Sequence, residues 1–274
     1  MIPALLINLP QSTDRLAFQA AQLKQLGITW QRMNATTIAD ISTAEYERLA
    51  KGWERPLRSA EVACFLSHQR AWQTVLQENR PMLILEDDAL LSAKTPLLLE
   101  NLSACLTDAD YITLETRARK KLLDKHSTAV NPDFALRRLY QDRTGAAAYI
   151  LFPQGAQKLL DKAAHENIAL ADAFICRAYE LNAYQTVPAA AIQLDRCEYY
   201  RLNHIQNPFA STITPSNNQK PAAGDFAAAA RFKYRRIAAQ CRMGIRQLSV
   251  LGKAQREYVG INTADFRQPE ITVL

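Results

Sequence analysis

Long apolar runs are missing from this 274-residue chain. No stretch approaches the roughly 20 apolar residues that a bilayer-spanning helix needs. Cysteine is sparse: five residues, an odd number, with no CxxC spacing. That argues against a disulfide framework and for a reducing compartment. The four histidines fall in no HExxH or Cys-His pattern, which argues against a zinc site. Glycine numbers only eight, and neither GxGxxG nor a Walker motif occurs. A nucleotide would therefore have to be held by metal, strand ends and basic side chains. The first ten residues, MIPALLINLP, lack the basic n-region of a signal peptide. Asn8 and Pro10 interrupt a short run that reads as a first strand. A cytoplasmic location is expected.

What is present suffices for a sizeable core, with 48% of residues hydrophobic. The length fits one large domain, or a domain with an appendage. The net charge of +6 is unevenly placed. Between 231 and 256 there are eight basic residues and no acid, so the rest of the chain is slightly acidic. In that segment Tyr234, Ile237, Ala238, Cys241, Ile245 and Leu248 recur at steps of three and four, with Arg235, Arg236, Arg242 and Arg246 mostly off the stripe. This is the pattern of a basic amphipathic helix, suited either to an anionic membrane surface or to packing on the domain. Nucleic acid is not an expected partner. The segment's only aromatics are Phe232 and Tyr234, the body is slightly acidic, and no nucleic-acid motif occurs. The expected division is a domain over 1–225 and a basic amphipathic helical extension over 226–274.

Strand and helix patterns alternate over the first half. Strands are expected at 4–9, 28–33, 82–86, 111–115, 134–140, 146–152, 184–187 and 191–195. Helices are expected from about 13 to 26, 43 to 51, 59 to 78, 95 to 106, 156 to 166 and 172 to 182. Such alternation predicts an α/β fold with a mostly parallel sheet, whose ligands sit at the carboxyl ends of strands. One such end carries LILEDDALL (83–91), where a buried strand stops on Glu86, Asp87 and Asp88. Three adjacent carboxylates repel one another. A Mg²⁺ or Mn²⁺ ion that in turn holds a diphosphate would offset that repulsion. A solvated acidic turn, or caps for the next helix, is the plainer alternative. The DAD of 108–110 precedes its strand and reads as a turn.

Three further segments accompany ILEDD: INLPQSTDRL (7–16), EVACFLSHQRAW (61–72), and TGAAAYILFPQGAQKLL (144–160) followed by ALADAFI (169–175). The ordered set resembles glycosyltransferase family 25, the bacterial lipopolysaccharide and lipooligosaccharide galactosyltransferases and their collagen-modifying relatives, over roughly residues 4–195. The resemblance implies a GT-A-like single nucleotide-sugar-binding domain. It implies inverting transfer of a sugar, often galactose from UDP-galactose, to a growing lipid-linked surface glycan. It also implies that ILEDDA occupies the place of an Asp-x-Asp metal motif, with Asp88 as direct ligand and Glu86 or Asp87 assisting. An inverting transfer needs a base. Asp172 is the candidate, although its position also suits a helix cap; Glu115 is the alternative. Asn8, Arg15, His68 and Gly145 are the candidate substrate-binding residues. Arg117, Arg119, Lys120 and Lys121 would meet acceptor phosphates or simply face solvent. A retaining or hydrolytic sugar-nucleotide enzyme, or an inactive relative, would carry the same cluster.

Overall fold

The computed structural model describes residues 1–105, 108–143, 145–207, 209 and 226–270. In chain order the elements are β1 (Ala4–Asn8), α1 (Thr13–Gln25), β2 (Trp30–Asn34), α2 (Thr43–Ala50), α3 (Ser59–Glu78), β3 (Met82–Glu86), β4 (Ala89–Leu91), α4 (Thr95–Cys105) and β5 (Tyr111–Thr113). Then follow β6 (Lys120–Asp124), β7 (Thr128–Ala129), β8 (Ala135–Gln141), β9 (Ala148–Leu151), α5 (Pro153–His165), α6 (Ala171–Cys176), β10 (Ala183–Val187), β11 (Ala191–Gln193), α7 (Phe226–Ser249) and β12 (Ala254–Tyr258). Local chemistry sets several ends. Gly27, at φ +63°, follows α1, and Asn79, at φ +48°, stops α3. The Glu61 carboxylate accepts the Arg58 N–H at the start of α3. Pro153 opens α5, so this helix begins ahead of Gly155.

A ten-stranded sheet runs in the order β12-β6-β8-β10-β5-β9-β3-β1-β2, with β7 beside β8. Neighbour pairing is mixed rather than mostly parallel. β1 pairs parallel with β2 and β3, and β10 with β5; β9 lies antiparallel between β3 and β5, and the β10-β8-β6-β12 run is antiparallel throughout. Strand direction is still largely shared, because only β8, β9 and β12 run against the rest. One edge of the sheet therefore collects the carboxyl ends of β1, β3 and β5 together with the entry to β9.

Strand alternation explains the core. Leu5, Ile7, Met82 and Ile84 face a cluster with Val62, Phe65 and Trp72 of α3 and Leu159 of α5. Ala4, Leu6, Leu83 and Leu85 face Leu23 of α1 and Leu98, Leu99 and Leu102 of α4. Both faces of β3 are covered, which is why its sequence is an unbroken apolar run. The Asp108–Asp110 turn lies at the opposite edge. There Asp110 accepts from Lys158 Nζ and from the Asn182 N–H, each at 2.6 Å, as a structural tie.

Three expectations differ. Residues 120–124, outside the expected strands and helices, form a strand. Lys121 is 2% exposed; its Nζ lies 2.7 Å from Asp142 Oδ2 and donates to the Glu115 carbonyl. The helix expected over 172–182 is a six-residue segment, Ala171–Cys176. The C-terminal segment is helical only to Ser249. It then supplies β12 to the edge of the main sheet, and Phe266 is buried in the core. The loop expected over 203–225 lies mostly outside the described residues. Among the described residues no helix is long and apolar enough to cross a membrane.

Candidate active site

At the end of β1, Asn8 Nδ2 donates to Asp87 Oδ2 at 2.8 Å, and Arg15 Nη1 lies 3.0 Å from Asp87 Oδ1. Gln19 Nε2 donates to the Asp87 and Ala89 carbonyls at 3.2 and 2.7 Å. Both oxygens of Asp87 are thus engaged, and the turn after β3 is fastened to β1 and α1. Burial raises the Asp87 carboxyl; Asn8 and Arg15 oppose that rise. Asn8 and Arg15, the candidate substrate-binding residues at this strand end, both hold Asp87 here.

Glu86 is oriented from the other side. His68 Nε2 lies 2.9 Å from Glu86 Oε1, and His68 Nδ1 lies 2.9 Å from Tyr149 Oη. Trp72 Nε1 reaches the same Tyr149 oxygen at 3.0 Å. Indole can only donate, the Tyr149 hydroxyl has its own proton to give, and a carboxylate can only accept, which together set the polarity of the chain. Trp72 donates to Tyr149, Tyr149 donates to His68 Nδ1, and His68 Nε2–H donates to Glu86. Burial pushes the Tyr149 hydroxyl well up, so it keeps the proton that this relay requires. Cys64, one helical turn before His68, completes a group with His68 and Glu86 whose ligand atoms lie within 4.8 Å of one another. Sequence spacing alone pointed away from any such thiol–imidazole pair. Its donors suit zinc better than magnesium, but His68 already spends Nε2 on Glu86.

Asp88 differs from its neighbours. Its Oδ1 is buried and has no hydrogen-bond partner among the described residues. Burial, with the charges of Glu86 and Asp87, pushes its carboxyl up to about 7. Glu115, just past β5, is 1% exposed. Its Oε2 accepts the Ala147 N–H at 2.9 Å, while Oε1 is also buried without a partner. Burial takes that carboxyl up to about 8.

Gly145 makes the approach to Glu115 possible. At φ +104°, a Cβ here would lie 2.9 Å from Glu115 Oε2. The Gly145 N–H also bonds to Asp172, which accepts from the Ala173 N–H at 2.6 Å and is raised chiefly by burial. The N-cap of α6 is Leu170, so Asp172 sits inside the first turn rather than at the capping position. Glu115, Gly145 and Asp172 form one group, and the charge of Glu86 is felt at both carboxyls.

A sequence model of glycosyltransferase family 25, described as a lipopolysaccharide-biosynthesis protein, matches residues 1–175. The chain belongs to glycosyltransferase family 25. No curated protein matches it. Membership supports a glycosyltransferase acting in lipopolysaccharide biosynthesis, with a sugar donor and a glycan acceptor as partners. The family-25 match spans every candidate residue from Asn8 to Asp172, while α7 lies beyond it.

The donor set of this family-25 site is compatible with a hard divalent cation. Asp88 offers a buried oxygen with no other partner, and Glu86 has one oxygen outside its bond to His68. Burial, ahead of the charges of Glu86 and Asp87, is what raises the Asp88 carboxyl. Sequence reasoning missed Tyr149 and Trp72 as the support behind His68. Both sat in the quoted segments, where linear spacing gives no sign that they meet at His68.

Proposed function

We propose that the chain is a metal-dependent, inverting glycosyltransferase that moves galactose from UDP-galactose onto a lipid-linked surface glycan at the cytoplasmic face of a membrane. The observation that carries the reading is the unpartnered Asp88 oxygen at a strand end in a family-25 chain. Asp88 and Glu86 would hold Mn²⁺ or Mg²⁺, with Asp87 locking the turn between them. Such a cation supplies Lewis-acid stabilisation of the departing diphosphate. Asp172 takes the proton of the acceptor hydroxyl as that oxygen bonds to the anomeric carbon and the bond to UDP breaks. Partial burial raises Asp172 toward a useful basicity. Glu115, raised further and almost fully buried, suits support of the Gly145–Ala147 turn better than proton abstraction.

Helix α7 supports a membrane setting. It packs on the body through its basic side: Arg235 Nη1 donates to the Lys51 and Trp53 carbonyls, and Arg246 Nε to the Tyr140 carbonyl. The apolar stripe is left outside. Tyr234, Ile237, Ile245, Leu248 and, just past the helix, Leu251 are 50–82% exposed. Arg231 and Lys233 stand on either flank of the stripe and are exposed. An apolar ridge between cations suits an anionic leaflet, where each basic group contributes about 1 kcal/mol near the surface.

Calorimetric titration of UDP-galactose with and without Mn²⁺, on the wild type and on Asp88→Asn, tests the reading. Metal-dependent binding that the variant loses supports it. Equal binding by both proteins removes the metal role, and anomeric retention in the product removes inversion.

A further inference from the structure

Beyond the carboxylate site, a cavity of about 250 Å³ lies between α6 and α7. Its walls include Arg119, Arg143, Arg177 and Arg242, against two acids, Glu54 and Asp142. Asp142 is already spent, since its Oδ2 lies 2.7 Å from the buried Lys121 ammonium. Among the described residues, no carboxylate lies within ion-pair distance of Arg119, Arg143 or Arg242. Arg177 donates to the Asn167 carbonyl, but its Nε is buried with no partner. Burial chiefly disfavours its positive charge; Glu166, 3.8 Å away, supports that charge and Arg242 opposes it. Four guanidinium groups converging on one cavity, three of them unmatched, repel one another until an anion enters.

The position of the cavity says which substrate that anion belongs to. Ala173, the neighbour of Asp172, lines it, and Arg143 lies two residues before Gly145. A second, larger cavity of about 610 Å³ shares Trp53, Glu54, Arg177 and Arg242 with the first. Sharing these walls, the two form a groove beside α7, with Ala173, the neighbour of the candidate base, at one end. The candidate metal carboxylates, Glu86 and Asp88, lie instead at the end of β3. Resting on the functional reading above, we propose that this groove is the acceptor site and that it selects a glycan carrying a phosphate or carboxylate group, gripped by Arg119, Arg143, Arg177 and Arg242. Arg119 and Arg143 lie within the 175 residues shared with the family model and Arg177 and Arg242 beyond them, so half of the proposed grip is built outside the matched region.

The test uses the full chain saturated with UDP and Mn²⁺, so that a phosphorylated sugar cannot simply occupy the donor site. Glucose 6-phosphate, glucuronate and glucose are titrated calorimetrically against wild type, Arg143→Gln, Arg242→Gln and the double variant. Binding of an anionic sugar but not of glucose, weakened about tenfold or more in the double variant, supports the proposal. The tighter of the two anions identifies phosphate or carboxylate as the recognised group. Equal binding of glucose, no binding of either anion, or binding unchanged in the double variant overturns it. Both arginines are exposed, and matched melting temperatures would show that the variants fold. UDP-galactose affinity, measured separately, should be unchanged in the variants. Its absence in the wild type would sink the donor reading while leaving an arginine-dependent anion site standing.

Discussion

His68 Nε2 donates to Glu86 Oε1 over 2.9 Å, joining the middle of helix α3 to the last residue of strand β3. Behind it stand Tyr149 and Trp72, so the orientation of a half-exposed carboxylate is set by a buried aromatic pair. Such outer support limits the freedom of a ligating side chain and conserves its geometry as substrate enters.

The relay should be costly to interrupt. Tyr149→Phe leaves the Trp72 indole N–H and His68 Nδ1 without a buried partner. The expected loss is about 1–3 kcal/mol of stability, with weakened Mn²⁺ affinity because Glu86 loses its fixed orientation. Urea denaturation and metal titration read the two effects separately. Unaltered metal affinity in a stable variant would reduce the relay to packing.

Asp88 and Glu115 give the metal-free protein a defined pH response. Their carboxyls are raised from 3.8 to about 7 and from 4.5 to about 8. Between those limits the folded chain holds more protons than the unfolded chain, so stability falls as pH rises through about 4 to 8. A cation needs the charged carboxylate, so Mn²⁺ affinity should fall about tenfold per pH unit below 7. Melting curves from pH 5 to 8, with and without Mn²⁺, check this. Asp88→Asn should flatten the metal-free slope and abolish the Mn²⁺ response. A metal-free stability that climbs over this range contradicts the assignment.

Gly145→Ala meets two obstacles, a φ of +104° and the Glu115 carboxylate 2.9 Å from the new Cβ. The expected cost is about 1–3 kcal/mol, together with a marked loss of transfer, since Asp172 depends on the same backbone N–H. Thermal unfolding and single-turnover rates measure both. A fully stable, active variant would show that this turn has room to spare.

Asp172→Asn should retain donor affinity and lower turnover about 10²- to 10⁴-fold, the range for loss of a general base. A fall in melting temperature with turnover intact would make Asp172 a helix-start residue only.

Leu248→Glu, on the exposed ridge of α7, should weaken binding to phosphatidylglycerol vesicles without altering the fold, because Leu248 is 71% exposed. Truncating the segment is not an equivalent test, since β12 belongs to the main sheet. Vesicle sedimentation that is identical for the two proteins would end the membrane proposal.

Local pattern by itself determined the element types near the site. The apolar run before Glu86 marked a buried strand, and three- and four-residue spacing marked α3 and α7. The four quoted segments carried the family. Spacing along the chain left two things undecided. The antiparallel insertion of β9 between β3 and β5 was not legible, because a short apolar strand carries no mark of its direction. That insertion brings Gly145 beside Glu115. Nor was it legible which carboxylate stays unpartnered. Asp87 and Asp88 are the same residue type in adjacent positions, and only tertiary contacts hand Asn8 and Arg15 to the first while burying the second. The same holds for α7. Its periodicity determined an amphipathic helix, but packing decided that the arginine face meets the body and the apolar face meets solvent. Periodicity records which residues share a face; which face is buried depends on the surface that face meets.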